Sequence, residues 1–197
     1  MFKKFLFLGV AFLATTAAST LAADSSKIRL LVPVQGTATG DAMTKTANPA
    51  GTTEKITPSG YSVHYVASAG WGIGYTSHSY EQEEKQSSSN TYIFEWDTTY
   101  LDLSYTFGSE ITGQIFYGHQ LSQSDIEYTI NGVQQTTVKK DSASGSAIGI
   151  NGGYDFGGFE LLLGYRMESA KFKQENSTSG DSDLSRSLIS LGAGFSF

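Results

Sequence analysis

The last fourteen residues of the chain alternate between apolar and small or polar side chains. Residues 184–197 read LSRSLISLGAGFSF. The apolar parity carries Ile189, Leu191, Ala193, Phe195 and Phe197. The other parity is mainly serine and glycine, with Leu188 and one arginine, Arg186. This period of two predicts a β-strand with one apolar face. The small, polar face suits the narrow inside of a barrel better than a solvated surface, although the last strand of a secreted β-sandwich would also have one apolar face.

The first 23 residues have the features of a secretory signal peptide. Two lysines precede an apolar run at residues 5–14 and a small-residue end, so cleavage is expected after Ala22 or Ala23. The expected division is therefore a signal peptide at 1–23 and a single domain at 24–197. No later stretch approaches the ~20 apolar residues of a membrane-spanning helix. An exported chain that enters a membrane must then form a closed barrel, in which every backbone group is paired without helices.

Seven further segments alternate in the same way. Strands are expected from residue 27 and near 59–68, from 71, at 91–107, from 111, and near 145–156 and 159–174. Short turns follow the second, fourth and sixth strands and longer polar stretches follow the others, which is the asymmetry of membrane barrels. The predicted fold class is an all-β, eight-stranded antiparallel up-and-down transmembrane β-barrel with both ends on the periplasmic side.

Irregular positions are also predicted. Pro33 cannot donate to a ladder, so it is expected near a bulge or a weakly paired position. The parity of the apolar residues changes within the fourth strand, which indicates a bulge near residues 97–99 or an extension above the bilayer. The polar stretches 40–57 and 81–90 are expected to be loops, and 123–144 is expected to form a β-ribbon that turns at Asn131-Gly132.

Aromatic residues gather at the short-turn end of the predicted barrel. They are Trp71, Phe107, Phe156, Phe159 and Phe197. In a membrane barrel they would form an aromatic girdle at one interface.

The chain resembles the small eight-stranded outer-membrane barrels, the class that contains the OmpA membrane domain, OmpX and OmpW. The resemblance rests on the signal-like start, the loop asymmetry and the terminal aromatic strand. It implies a location in the bacterial outer membrane, with outer-membrane lipids and lipopolysaccharide as surroundings. It also implies assembly by the barrel-assembly machinery, for which Phe195 and Phe197 would be the signal.

Charged side chains are predicted to face the lumen. The inward parity carries Arg29, Asp102, Asp155, Glu160, Arg166, Glu168 and Arg186. Charges in a narrow lumen must pair or draw in water. An ion or proton path and a structural salt-bridge plug are the two interpretations. The plug is favoured because an eight-stranded lumen is only wide enough for side chains, and Arg166 is expected at its centre, serving Asp102 and Glu168.

No catalytic, metal or cofactor site is expected. His64 and His78 are predicted to be lumen histidines without an obvious acidic or cysteine partner. His119 and Ser122 are three residues apart, which in a regular strand places them on opposite faces. That spacing argues against the Ser-His arrangement of outer-membrane lipid-A deacylases. The net charge of −6 argues against nucleic acid as a partner.

The sequence therefore favours a membrane protein with a structural or surface-interaction role, such as adhesion or defence, carried by extracellular loops. No extracellular ligand is indicated. The alternative is a narrow pore or a channel for small hydrophobic compounds of the OmpW type, and a lipid-modifying enzyme is a third hypothesis.

Overall fold

The computed structural model describes residues 25–40, 54–87, 90–124, 127–134, 140–174 and 182–197. The signal peptide predicted at 1–23 lies outside these ranges. Ten strands lie within them: β1 (Lys27–Gly40), β2 (Glu54–Val66), β3 (Trp71–Ser87), β4 (Asn90–Phe107), β5 (Ile111–Gln123), β6 (Glu127–Ile130), β7 (Val133–Gln134), β8 (Lys140–Asp155), β9 (Phe159–Gln174) and β10 (Ser182–Ser196). No helix in the described ranges is long and apolar enough to cross a membrane.

Eight of these strands close into an antiparallel barrel. Their order around the sheet is β3-β2-β1-β10-β9-β8-β5-β4, and β3 pairs with β4 to complete the circle. The short β6–β7 hairpin adds to the barrel sheet at β4, where Tyr92 pairs with Ile130. The predicted fold class is confirmed.

Alternation of side chains matches the predicted faces along the barrel strands, except in upper β4 and at the end of β5. In β9 the outward residues Leu161 and Leu163 are 52% and 58% exposed, whereas the inward Glu160 and Leu162 are 0% and 4% exposed. Outward apolar side chains from all eight strands together form an apolar belt around the barrel. A chain with this exterior requires a hydrocarbon surrounding to cover the belt.

Two of the five register shifts between barrel strands in the described residues lie near predicted positions. The register between β1 and β10 shifts between Pro33 and Gln35, so the proline is accommodated by a bulge as predicted. Between β4 and β5, Thr99 pairs with Ser122 and the next residue, Tyr100, pairs with Gln120. One extra residue therefore lies on β5 at this register shift. The β3–β4 register is continuous past this point, so the parity of β4 itself does not change.

Both predicted polar loops, 40–57 and 81–90, are wrong in part, because the strands are longer than the apolar pattern indicates. Most of the polar stretch 81–90 belongs to β3 and β4, and Glu81 pairs with Glu95 in an unbroken register. β2 begins at Glu54 instead of residue 59, and β1 continues to Gly40. Beyond the apolar belt a strand needs only a hydrogen-bonded neighbour, so a polar sequence there does not end the ladder. Residues 41–53 of the first predicted loop lie outside the described residues.

A cluster of apolar side chains fills the end of the lumen away from the short turns. We call this cluster the apolar cap; it consists of Ala38, Ile56, Tyr80, Trp96, Ala170, Leu184 and Leu188. Trp96 is 2% exposed, and its ring stacks on Tyr80 with centroids 5.2 Å apart. The aromatic residues of upper β4 do not follow the outward apolar parity of its lower half, because Trp96 faces the lumen.

Candidate functional site: the lumen charge network

The lumen contains two groups of ion pairs, at the short-turn end and near its middle. Together we call them the charge network; its members are Lys27, Arg29, Asp102, Asp155, Glu160, Arg166, Glu168 and Arg186. Four cations face four carboxylates, so the network is neutral when the lumen histidines are uncharged.

The short-turn group is built on Arg29 and Glu160. The guanidinium of Arg29 donates to both carboxylate oxygens of Glu160, at 2.8 and 2.7 Å, and both side chains are 0% exposed. Lys27 lies 2.7 Å from Asp155 and 3.8 Å from Glu160. Asp155 in turn accepts the amides of Gly157 and Gly158 in the adjacent turn. Bidentate, charge-assisted bonds of this kind are strong and directional.

The central group is built on Arg166. Its Nε donates to Glu168 at 2.8 Å and its Nη1 to Asp102 at 2.9 Å. The guanidinium also lies over the rings of Tyr100 and Phe116, at 4.5 and 5.2 Å from the centroids. Arg166 thus contacts both carboxylates expected from the sequence, and two aromatic faces that the sequence did not indicate.

Arg186 extends the central group toward the apolar cap. Its Nη2 lies 3.1 Å from Glu168 and donates to the hydroxyl of Tyr100 at 3.0 Å. Its guanidinium lies 4.5 Å from the ring centroid of Tyr80, a member of the cap. Because β10 and β4 lie on opposite sides of the barrel, the Arg186–Tyr100 bond crosses the lumen.

Both lumen histidines have acidic partners, contrary to the expectation that none was available. Nε2 of His64 lies 3.3 Å from Asp102, and Nδ1 of His78 lies 3.4 Å from Glu168. Each carboxylate is on a different strand from its histidine, so strand parity alone did not reveal the pairs. In the described part of the chain, no group of three or more His, Cys, Asp or Glu side chains could hold a metal ion.

Lys27 is the charged lumen residue that the sequence analysis missed among the residues described. It is 3% exposed and stands at the first position of β1. It shares the inward parity of Arg29, which is the signal that would have found it. The sequence analysis began the first strand at Lys27 but assigned it to neither face.

The predicted girdle residues are all exposed at the short-turn end. Trp71, Phe107, Phe156, Phe159 and Phe197 are 56%, 39%, 61%, 39% and 69% exposed. Phe159 also contacts Phe195, with ring centroids 5.4 Å apart. The amide of Phe197 donates to the carbonyl of Ser26 at 2.9 Å, which ties the two ends of the described chain together. The role of Phe195 and Phe197 in assembly stays a prediction.

The prediction that His119 and Ser122 lie on opposite faces of their strand is wrong. Both side chains are exposed on the outside of the barrel, because the extra residue of the β4–β5 shift lies between them. The hydroxyl of Ser122 lies 2.7 Å from that of Thr99. A bulge is a property of two paired strands, so parity counted along one strand could not detect it.

Comparison with known proteins identifies the fold. No protein-family model and no curated protein matches the sequence. Among solved structures, the chain is similar to the Neisserial surface protein A (NspA), with 14% identity over 87% of this chain and 97% of that one and a TM-score of 0.56. It is also similar to Ail, the attachment invasion locus protein of Yersinia pestis, with 14% identity over 88% and 99% of the chains and a TM-score of 0.50.

The chain therefore has the fold of the small eight-stranded outer-membrane β-barrels, as the sequence predicted. The location that goes with this fold is the bacterial outer membrane, and the apolar belt is the surface that faces its lipids. An identity of 14% carries the fold and no residue roles.

Proposed function

We propose that the protein is an integral outer-membrane barrel with a plugged lumen, whose role is structural or one of surface interaction. The observation that carries the proposal is the pairing of Arg166 with Asp102. Arg166 is on β9 and Asp102 on β4, three strands apart around the barrel, so their 2.9 Å contact spans the lumen. The side chains that would line a pore instead occupy it.

Two barriers lie in series along the barrel. The charge network fills the short-turn half, and the apolar cap fills the other half with side chains such as Trp96 and Leu184, which are 2% and 0% exposed. An ion crossing the cap would lose its hydration without gaining polar partners, which is costly. The cap therefore supports a closed lumen independently of the ion pairs.

The surface role is assigned to the sheet that continues beyond the apolar belt. Upper β3 and β4 and the β6–β7 hairpin form this extension, which is the part of the described chain farthest from the short turns. The Yersinia pestis protein of similar fold is named for attachment and invasion. An extended, hydrogen-bonded sheet can present a defined surface where a loop would not.

Conductance in planar bilayers tests the plugged lumen. The wild-type protein is expected to give no regular current steps. Neither Arg166→Ala nor Trp96→Ala alone should conduct, because the other barrier remains. A triple variant that also carries Arg29→Ala should give small steps, since Arg29 otherwise bonds to both Glu160 and Thr106 across the short-turn end. Regular steps from the wild-type protein would favour the narrow-pore function instead.

Deletion of residues 127–134 tests the surface role. The barrel should be intact in the deletion variant, since the hairpin pairs only with upper β4, and fast migration of the unheated protein on detergent gels would verify this. Attachment to surfaces and survival in serum should fall in cells that carry the variant. Unchanged attachment and survival would contradict a role for the extension, and the protein would then be structural. The proposal includes no catalytic role.

A further inference from the structure

The apolar belt has a hollow on the outward face of β8. Gly152 is the outward residue between Ile150 and Tyr154, and a Cβ added to it would meet nothing within 4 Å. Its partner on β5 is a second outward glycine, Gly113. A Cβ there would lie 2.5 Å from the ring of Phe107, so that ring already covers Gly113. The space above Gly152 is open by contrast.

The hollow is the floor of a groove between β8 and β9. Leu161 and Leu163, which are 52% and 58% exposed, form its wall on β9, and Ile150 and Tyr154 stand on β8 at either side of Gly152. The groove has a volume of about 670 Å³ and is lined only by glycine, aliphatic and tyrosine residues. Its size is typical of a site for a small ligand, and its lining suits a hydrocarbon chain.

A carboxylate stands at the short-turn end of the groove. The hydroxyl of Tyr154 donates to Oε1 of Glu110 at 2.5 Å, so Tyr154 joins the groove to this acid. Glu110 is exposed in the turn that precedes β5. Among the described residues, none of the ion pairs includes Glu110. The groove therefore ends beside a negative charge that the described chain does not neutralise.

We propose that this groove binds one phospholipid whose headgroup carries a primary ammonium group. One acyl chain lies over Gly152, between the side chains of β8 and the leucines of β9. The ammonium group donates to the carboxylate of Glu110, and hydrogen bonds between two charged groups are the stronger ones. The short turns of such barrels lie on the periplasmic side, so Glu110 is at the level of the headgroups of that leaflet.

Packing favours an acyl chain over an empty groove. A void beside Leu161, Leu163 and Ile150 would deprive their exposed methyl groups of contacts on that side, and such contacts are individually weak but add up. A flexible chain can follow the floor of the groove and restore them. The site depends on the location of the barrel in a membrane and not on whether the lumen is closed.

A second copy of the protein is the competing occupant, and the charge argues against it. Two copies that face each other symmetrically in one membrane are related by a two-fold axis along the membrane normal. The carboxylates of Glu110 in the two copies would then lie at the same height beside the interface. Like charges placed close together repel each other, whereas a headgroup ammonium attracts the same carboxylate.

Native mass spectrometry tests the proposal on the wild-type protein. The protein is reconstituted with equal amounts of phosphatidylethanolamine, phosphatidylcholine and phosphatidylglycerol that have identical acyl chains, and is then released into the gas phase. One bound lipid is expected, with phosphatidylethanolamine retained about two- to five-fold more than either of the others. Phosphatidylcholine has the same net charge but no ammonium proton to donate. Equal retention of the three lipids, or none, would overturn the proposal, and a dimer free of lipid would assign the groove to a second copy.

Two variants separate the groove from the carboxylate. Gly152→Leu fills the hollow, so retention of all three lipids should fall. Glu110→Gln should leave the amount of bound lipid unchanged and remove the preference for phosphatidylethanolamine. Glu95→Gln is the matched control, because it removes an exposed glutamate in upper β4, beyond the belt at the other end of the barrel. Fast migration of each unheated variant on detergent gels verifies the barrel. Unchanged retention in Gly152→Leu, or an unchanged preference in Glu110→Gln, would refute the site.

Discussion

Replacing Arg166 with alanine should destabilise the barrel mainly through Asp102. Arg166 is 4% exposed and is the cation bonded to both Asp102 and Glu168. Without it, Glu168 keeps Arg186 at 3.1 Å and the hydroxyl of Tyr80 at 2.7 Å. Asp102 keeps only Thr76 at 2.7 Å and His64 at 3.3 Å. The two carboxylates are therefore affected unequally.

The expected loss of stability in Arg166→Ala follows from this difference between the two carboxylates. Removing one partner of a buried ion pair costs on the order of 3–5 kcal/mol, because the other charge remains buried. Lost packing of the guanidinium between Tyr100 and Phe116 adds to that cost. Arg166→Met retains much of this packing, so the difference between the Met and Ala variants measures the packing contribution.

A second substitution at either carboxylate, in the Arg166→Ala background, shows which carboxylate depends on Arg166. Asp102→Asn should partly restore the stability of Arg166→Ala, because it removes the charge left without a cation. Glu168→Gln in the same background should not restore it, since Arg186 would then lose its carboxylate. Stability is measured as the temperature at which the unheated, fast-migrating form is half lost on detergent gels.

The reverse order of rescue would refute this reasoning. If Glu168→Gln restored stability and Asp102→Asn did not, Glu168 would be the carboxylate that depends on Arg166. An unchanged midpoint in Arg166→Ala would mean that the ion pair contributes nothing, and the central group would then not be a structural plug.

Three further predictions follow from the barrel. The wild-type protein should migrate faster unheated than heated on detergent gels, because the closed ladder resists detergent until heat opens it. Trp96→Ala should cost about 3–5 kcal/mol and lower the thermal midpoint, whereas Trp71→Ala, at a residue 56% exposed, should change the midpoint little in detergent. Gly149→Ala should destabilise the barrel, because a Cβ there would lie 2.3 Å from the ring of Phe116 and 2.4 Å from a backbone oxygen. Gly152→Ala, where nothing lies within 4 Å, should not, and equal effects of the two glycine changes would contradict this account.

The sequence alone determined the number of barrel strands and most of their inward and outward faces. β9 was predicted at residues 159–174 and spans Phe159–Gln174 in the structure. Alternation is a local property of extended backbone. In a membrane barrel, one face meets lipid and the other meets the lumen, so the two kinds of side chain are separated along every strand.

Predictions from the sequence failed where the residue types of a segment do not determine its secondary structure or the faces of its side chains. Beyond the apolar belt, polar residues such as Glu81 and Glu95 continue the β3–β4 ladder instead of forming a loop. The bulge on β5 placed His119 and Ser122 on one face. Both features depend on how the segment pairs with the neighbouring strand, which the sequence of the segment alone does not specify.

Apart from the contacts of Arg166 with Asp102 and Glu168, which the sequence predicted, only the tertiary structure decided which lumen residues meet. Arg29 bonds to Glu160, which is 131 residues away in sequence. The apolar cap brings Trp96 of β4 together with Leu184 of β10, from opposite sides of the barrel. The sequence placed every member of the charge network except Lys27 on the inward face, but it gave no relative heights outside the group around Arg166. Those heights follow from the stagger of all eight strands at closure, which is fixed by the whole ladder of hydrogen bonds and by no single strand.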